Sequence, residues 1–483
     1  VRGFAAFFSL APAIRQPLNS LGCRKSVGMR VFMLGWEFPP FISGGLGTAC
    51  YGLTKAMSGL GTDIIFVLPR PVSTPFSTHV RLVSPHVGSP LATPATEMRL
   101  DEFENVTFRT IDAQLSNPYE LPSGYEAPIK PRTAPEIRPT PAAAPPPPPP
   151  PSTAANTAQP GYITGESGGS QYAGDMFNEI QRYAALAAEI ARNESFDVVH
   201  AHDWMTFPAG MAVAGLKGVP LVVHVHSTEF DRSGVHVDQR IYDIERRGMH
   251  SAMKVIAVSS LTKNLITHHY GIEGDKIEVV YNAIDVNGNG FDEEKYSIHK
   301  DEKIVLFLGR ITMQKGPEYF IAAAKKVLEV MDNVKFVMAG SGDMIRRTIE
   351  MAAAMGIGHK VLFTGFLRGP DVEKVFKMAD LYVMPSVSEP FGIAPLEAMS
   401  HDVPVIVSKQ SGVSEVLQHA LKVDFWDINE MANKIVAVLK HPPLASTLRQ
   451  HGSFEVRRRS WTDAARACMG VYEQAVHMVN GKA

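Results

Sequence analysis

The sequence predicts an α/β protein made of two doubly wound, Rossmann-like domains that face each other across a cleft. Three observations predict it. Short apolar runs rich in Val and Ile alternate with amphipathic helical stretches over residues 29–284 and again over 303–460, the βαβα pattern of a parallel sheet with helices on both faces. Glycine- and proline-bearing turns follow several of these runs, at the strand ends where open α/β sheets bind ligands. The 483 residues are enough for two or three full cores.

Composition narrows the function. Charged residues make up 20% of the chain and the net charge is −2, so nothing suggests a nucleic-acid or polyanion binder. Cys23, Cys50 and Cys468 are odd in number and far apart, without metal-ligand spacing, which points to a reducing, cytoplasmic setting. No apolar run is long enough for a transmembrane segment. Residues 1–28 begin with Arg2 and a short apolar stretch, but Arg24-Lys25 follows closely; they are read as a disordered or mis-started extension, not a signal peptide.

Taken in order, Met29 to Leu34 reads as a buried strand. The turn after it carries Gly44, Gly45 and Gly47 ahead of a helix from Thr48 to Leu60, and such glycines let a backbone wrap a phosphate. It is not a dinucleotide fingerprint. Cys50 stands where the third glycine is needed, and the next strand, Asp63 to Leu68, ends in Pro69-Arg70 instead of an acid. A strand over Val106 to Ile111 precedes a proline-rich run with seven consecutive prolines, Pro145 to Pro151, so about 125–170 is read as a disordered insertion with polyproline II at its centre.

Alternation resumes with a helix from Met176 to Arg192, a strand from Asp197 to His202 and a helix after Pro208. Then come a strand from Pro220 to His226, a helix from Gln239 to His250, and strands Lys254 to Val258 and Ile277 to Tyr281. Residues 285–302 are polar and read as a hinge. Asp285-x-Asn287-x-Asn289-Gly290 opens like a calcium loop, but Tyr296 stands where a bidentate Glu is required. The second domain reads as strands Lys303 to Gly309, Val334 to Ala339, Val361 to Thr364, Leu381 to Pro385 and Pro404 to Ser408. Helices Pro317 to Met331, Asp343 to Met355, Asp371 to Ala379 and Val413 to Gln418 separate or follow them. A last amphipathic helix, Trp461 to Met478 within residues 461–483, is expected to pack back on the first domain.

The chemistry is concentrated in Ser386 to Met399, a strand-to-helix turn. Gly392 allows close backbone approach and Pro395 suits a first helical turn, while Glu389 lies in the loop and Glu397 in the helix. Acids beside an anion-attracting turn suit a ligand that also presents hydroxyls. As a glycosidase pair they would sit roughly 5–9.5 Å apart, whereas helical rise places their Cα atoms on the order of 12 Å apart; they are assigned to opposite ends of one ligand. Arg310 and Lys315, in the turn after Gly309, offer a planar fork and a point charge that suit a diphosphate. Solvated surface acids and cations are the plainer alternative for each pair. His200 and His202 share one strand face and His224 and His226 another, which also fits a metallohydrolase. No further ligand set stands nearby in the sequence, so no metal is assigned, and one histidine of each pair is expected to reach the cleft.

Together, Glu389 to Glu397, Gly309-Arg310 with Lys315-Gly316, the Gly44-Gly45-Leu46-Gly47 turn, His200-Ala-His-Asp-Trp204 and Val225-His226-Ser-Thr-Glu229 resemble the retaining GT-B glycosyltransferases of family 4 and the related glycogen and starch synthases. The resemblance covers about residues 29–70 and 174–483. It implies transfer of a sugar, best guess glucose, from a nucleotide-sugar donor such as ADP- or UDP-glucose to a carbohydrate acceptor, with retention and no required cofactor. It also implies that Arg310 and Lys315 hold the distal phosphate and that Gly44 and Gly45 approach the diphosphate. Glu389 would contact the donor sugar beside Phe391, Gly392 and Ile393, Glu397 would bind the ribose, and His226 would lie near the reacting face. His202, Asp203 and Trp204 would line the sugar or acceptor side. Ser43 stands where glycogen synthases commonly carry a lysine, which weakens the ADP-glucose assignment. Other glycan, lipid or small-molecule acceptors, a non-catalytic carbohydrate- or nucleotide-binding protein, and the His-x-His hydrolase are the rivals.

Overall fold

The computed structural model describes residues 28–38, 45–70, 96–98, 105–112, 176–284, 302–367 and 369–481. The proline-rich insertion, the calcium-like stretch, nearly all of the hinge, Gly44 and Cys23 lie outside the described residues.

The first half runs β1 (Arg30–Leu34), α1 (Gly45–Gly59), β2 (Asp63–Arg70), β3 (Thr96–Met98), β4 (Val106–Asp112), α2 (Met176–Arg192) and β5 (Val198–His202). It continues through α3 (Phe207–Lys217), β6 (Leu221–Val225), α4 (Glu229–Ser233), α5 (Gln239–Ser251), β7 (Lys254–Ala257), α6 (Ser260–Leu265) and β8 (Ile277–Val279). The second half runs β9 (Lys303–Leu308), α7 (Pro317–Leu328), β10 (Val334–Ala339), α8 (Ile345–Ala354), β11 (Val361–Gly365), α9 (Pro370–Met378) and β12 (Leu381–Met384). Then come α10 (Ala394–Ser400), β13 (Val405–Ser408), α11 (Val413–Val416), β14 (Leu421–Val423), α12 (Ile428–Lys440), α13 (Pro442–Arg457) and α14 (Trp461–Asn480).

The first sheet has eight strands in the order β3-β4-β2-β1-β5-β6-β7-β8 and the second has six, β11-β10-β9-β12-β13-β14. Every pairing is parallel except β3 with β4. Strands β5, β6, β7, β12 and β13 are buried at every residue, which is why they read as continuous apolar runs instead of alternating ones. Each sheet carries a hydrophobic core on both faces.

Two features differ from the expectations. Helix α1 begins at Gly45 instead of Thr48, because Glu37 accepts a hydrogen bond from the Gly47 amide at its open end. The short strands β3 and β14 and the helices α4, α12 and α13 were not expected. The two strands have only three residues each, too few for a period-two signal. Helix α14 leaves the second half and packs on α1, burying Trp461, Ala465, Cys468, Tyr472 and Ala475 in a first-domain core.

Strand order reverses between β1 and β5 in one sheet and between β9 and β12 in the other. Loops leaving the carboxyl ends of those strands diverge to opposite sides and open a crevice. The motif residues sit there.

Candidate active site

Beyond β9 the chain passes Gly309 and Arg310, makes a 3-10 turn over Met313–Lys315, and enters α7 through Gly316 in a left-handed conformation, φ 65°. A Cβ at position 316 would overlap the Pro385 carbonyl oxygen, so glycine is what lets this loop lie against the end of β12. Buried Gln314 joins the two loops. Its carbonyl accepts from the Val387 amide at 2.9 Å and its side-chain oxygen receives Arg310 at 3.5 Å. The Lys315 ammonium pairs with the Glu389 carboxylate, which also accepts from the Ser386 hydroxyl at 3.3 Å. Arg310, Lys315 and Glu389 therefore share one site, with Glu389 only 6% exposed. The extra hydroxyl satisfies a further lone pair of this sunken ion pair.

Gly392 follows at φ 96°, close to the Glu389 side chain and Met384. Phe391 is buried, its ring 6.2 Å from that of Tyr281, and Ile393 packs against a core of each domain. These two side chains anchor the turn. Glu397 lies on α10, where burial pushes its carboxyl up to about 7.

The first domain supplies the facing loop. Asp203, at φ 59°, turns the chain after β5, and its carboxylate accepts the amides of His226 at 2.6 Å and Ser227 at 3.3 Å. Burial raises Asp203 to about 7 against those two amides. The His226 ring meets His202, Nε2 to Nδ1, at 2.9 Å. Burial lowers His226 to about 3, so it stands at the exit of β6 as a neutral imidazole. Thr228 and Asp231 cap α4 reciprocally, above a buried network in which Arg232 binds Glu229 at 3.1 Å and Glu245 at 2.6 Å. The second Asp231 oxygen accepts the Ser388 hydroxyl at 2.6 Å, and this bond joins the two domains beside Glu389. Glu37, buried after β1, takes the Gly47 amide and lies near the Arg310 guanidinium; burial raises its pKa while Arg310 opposes the rise. The glycine turn of α1 and the cation of the second domain thus meet at one carboxyl.

His202, Asp203 and Trp204 do not form the cleft wall expected of them. His202 is 0% exposed, Asp203 spends its carboxylate on backbone, and Trp204 packs in the core with its ring 6.0 Å from Phe177. They support the His226 loop from behind. Both β5 histidines are buried because α14 covers that strand, with the Tyr472 hydroxyl 2.6 Å from His200 Nδ1. In β6 and its exit His224 is buried and His226 partly exposed. A hydrolytic metal needs an open position that substrate can reach, and His200, His202 and His224, at 0–2% exposure, offer none. Sequence reasoning missed Glu37, Asp231, Gln314 and Ser388. Thr228-x-x-Asp231 fits the capping-box pattern and was readable; the other three are single polar residues without a pattern.

Residues 289–453 match the model for glycosyl transferases group 1, 145–287 that for Glycosyltransferase Family 4, and 30–125 that for the starch synthase catalytic domain. An uncharacterized glycosyltransferase of Methanocaldococcus jannaschii is 35% identical over 305 residues, 59% of this chain and 77% of the relative. A glycogen synthase of Mycobacterium tuberculosis is 25% identical over 456 residues, 92% of this chain and 94% of the relative. The catalytic domain of starch synthase IV from Arabidopsis thaliana, bound to ADP and acarbose, superposes with a TM-score of 0.63 at 16% identity, covering 93% of this chain and 99% of that one. Arg310, Lys315 and Glu389 share one site at the switch point of the second sheet, tied through Ser388 to Asp231 of the first domain, and the chain belongs to the GT-B glycosyltransferases, with a glycogen- and starch-synthase-like arrangement of its two domains.

Proposed function

We propose that the chain transfers a hexose, with glucose as the best candidate, from a nucleotide diphosphate sugar to a carbohydrate acceptor with retention of configuration and no required metal. The observation that carries this is the shared site of Arg310, Lys315 and Glu389, tied through Ser388 and Asp231 to the helix that the His226 loop leads into. Arg310 and Lys315 hold the distal phosphate. As the bond from the sugar C1 to the diphosphate oxygen breaks, negative charge grows on that oxygen, and fixed cations stabilise it more than they stabilise the intact donor. The acceptor oxygen bonds to C1 on the face the diphosphate leaves, and its proton passes to a diphosphate oxygen.

Glu389 is held by Lys315 and Ser386, and accepts donor-sugar hydroxyls alongside the backbone of Phe391, Gly392 and Ile393. Glu397 accepts the ribose hydroxyls. His226 hydrogen-bonds the sugar at its reacting face, and Gly45 lies on the diphosphate side. ADP- or UDP-glucose is the expected donor; the ADP bound to the Arabidopsis enzyme supports the nucleotide class.

The test is a thermal-shift comparison of ADP-, UDP- and GDP-sugars, followed by product analysis with the best donor and an oligosaccharide acceptor. An α-linked product from an α-linked donor is expected. Binding without turnover leaves a non-catalytic sugar-binding protein, and a β-linked product rules out retention.

A further inference from the structure

We propose that the chain binds one divalent transition-metal ion of the zinc class between His200, His202 and His224, beneath the cleft, as a structural centre separate from the transfer chemistry. His200 and His202 stand on one face of β5, and His224 pairs in register with His202 from β6. The rings lie 4.2–5.4 Å apart, and one nitrogen from each comes within 4.8 Å of the other two. A zinc–nitrogen bond of about 2.1 Å asks each nitrogen to move inward by about 0.7 Å at most.

The hydrogen bonding points to the same place. His200 Nε2, His202 Nε2 and both nitrogens of His224 are buried without a partner. Each buried polar atom left so is destabilising, and native interiors seldom tolerate several together. Meanwhile the remaining nitrogens of two rings are held, His200 Nδ1 by the Tyr472 hydroxyl at 2.6 Å and His202 Nδ1 by His226 at 2.9 Å. That is how imidazole ligands are oriented, one nitrogen on the metal and the other on an outer partner.

Metal binding requires neutral imidazole. Burial, with the neighbouring rings, pushes all three histidines down, His200 to about 3. Three imidazoles suit zinc, cobalt, nickel or copper better than magnesium or calcium. Cys50, His202 and His226 form an overlapping set, but His202 Nδ1 and His226 Nε2 already hydrogen-bond each other at 2.9 Å, which favours the all-histidine seat. His224 belongs only to that seat.

The experiment uses the full chain without a polyhistidine tag, grown with added zinc, gel-filtered and assayed for metal. One zinc per chain is expected. Chelator-stripped protein should regain thermal stability on adding zinc and should develop visible absorption on adding cobalt. His224→Phe should lower zinc affinity by about tenfold or more and abolish the stability response. With no ion, the same substitution removes two unpartnered nitrogens and should raise the melting temperature. Substoichiometric zinc, a stripped wild type indifferent to both metals, or equal binding by the variant (an adventitious ion only, at one of the other histidines) overturns the proposal. Should the variant fail to fold, the cobalt titration of stripped wild type decides alone.

Discussion

Glu397 connects desolvation to donor binding. Its folded pKa is about 7 against an ordinary 4.5, so the fold favours the protonated carboxyl. Below pH 4.5 both folded and unfolded states are protonated and the group is neutral in effect; as pH rises from 4.5 to 7 the unfolded state ionises first and stability is lost. Glu397→Gln should therefore raise the melting temperature relative to wild type at pH 8 and leave it nearly unchanged at pH 4. In the proposed site ribose hydroxyls donate to the ionised form, so nucleotide binding near pH 7 should release a proton, visible as a buffer-dependent enthalpy that the Gln variant lacks. A buffer-independent enthalpy in wild type would remove Glu397 from the ribose site. Arg310 makes a different kind of contribution. Arg310→Ala should lower kcat on the order of 10²–10³-fold with an unchanged melting temperature, and Arg310→Lys should recover only part of it because the fork is gone. A wild-type rate in Arg310→Ala would exclude the phosphate-holding role.

At the scale of elements, α14 is the strap of the first domain. Trp461 packs so closely on α1 that a Cβ at Gly52 would run into its indole ring, and Tyr472 reaches through to His200. Trp461→Ala should destabilise the protein by about 3–5 kcal/mol, measured by urea unfolding; a loss under 1 kcal/mol would mean α14 is only loosely attached. Much of this architecture was legible in the sequence. The apolar runs of β5, β6 and β12 and the breaks at Gly309 and Gly392 give away a parallel sheet with a loaded carboxyl end. So the Arg310, Lys315 and Glu389 loops could be assigned before their contact was seen. The packing of Trp204 in the core and the covering of His200 by Tyr472 were not legible. Both depend on what lies over a residue in space, and alternation along one strand cannot tell an imidazole facing a cleft from one facing a helix. Glu37, Gln314 and Ser388 were missed for the same reason, since each matters only through a partner from another loop.

In the whole molecule, contacts join the domains on two sides of the cleft. Away from the mouth, Glu415 accepts the amides of Ser260 at 2.9 Å and Leu261 at 2.7 Å and the hydroxyl of Tyr281 at 3.0 Å, fastening α11 to the start of α6. At the mouth, Ser388 donates to Asp231, one residue from Glu389 and on the helix that the His226 loop leads into. The first side suits a pivot and the second a latch whose strength sets how often the halves meet. A hydrogen bond to a charged acceptor contributes about 1.5–3 kcal/mol, which corresponds to roughly a tenfold change or more in such an equilibrium. Asp231 is a poor residue to vary because it also caps α4, whereas Ser388→Ala removes the latch alone. Ser388→Ala should lower kcat/KM by about tenfold, leave the melting temperature within a degree or two, and enlarge the radius of gyration of the donor-bound protein in solution scattering. If kcat/KM and the scattering profile both match wild type, closure over the donor does not depend on this bond.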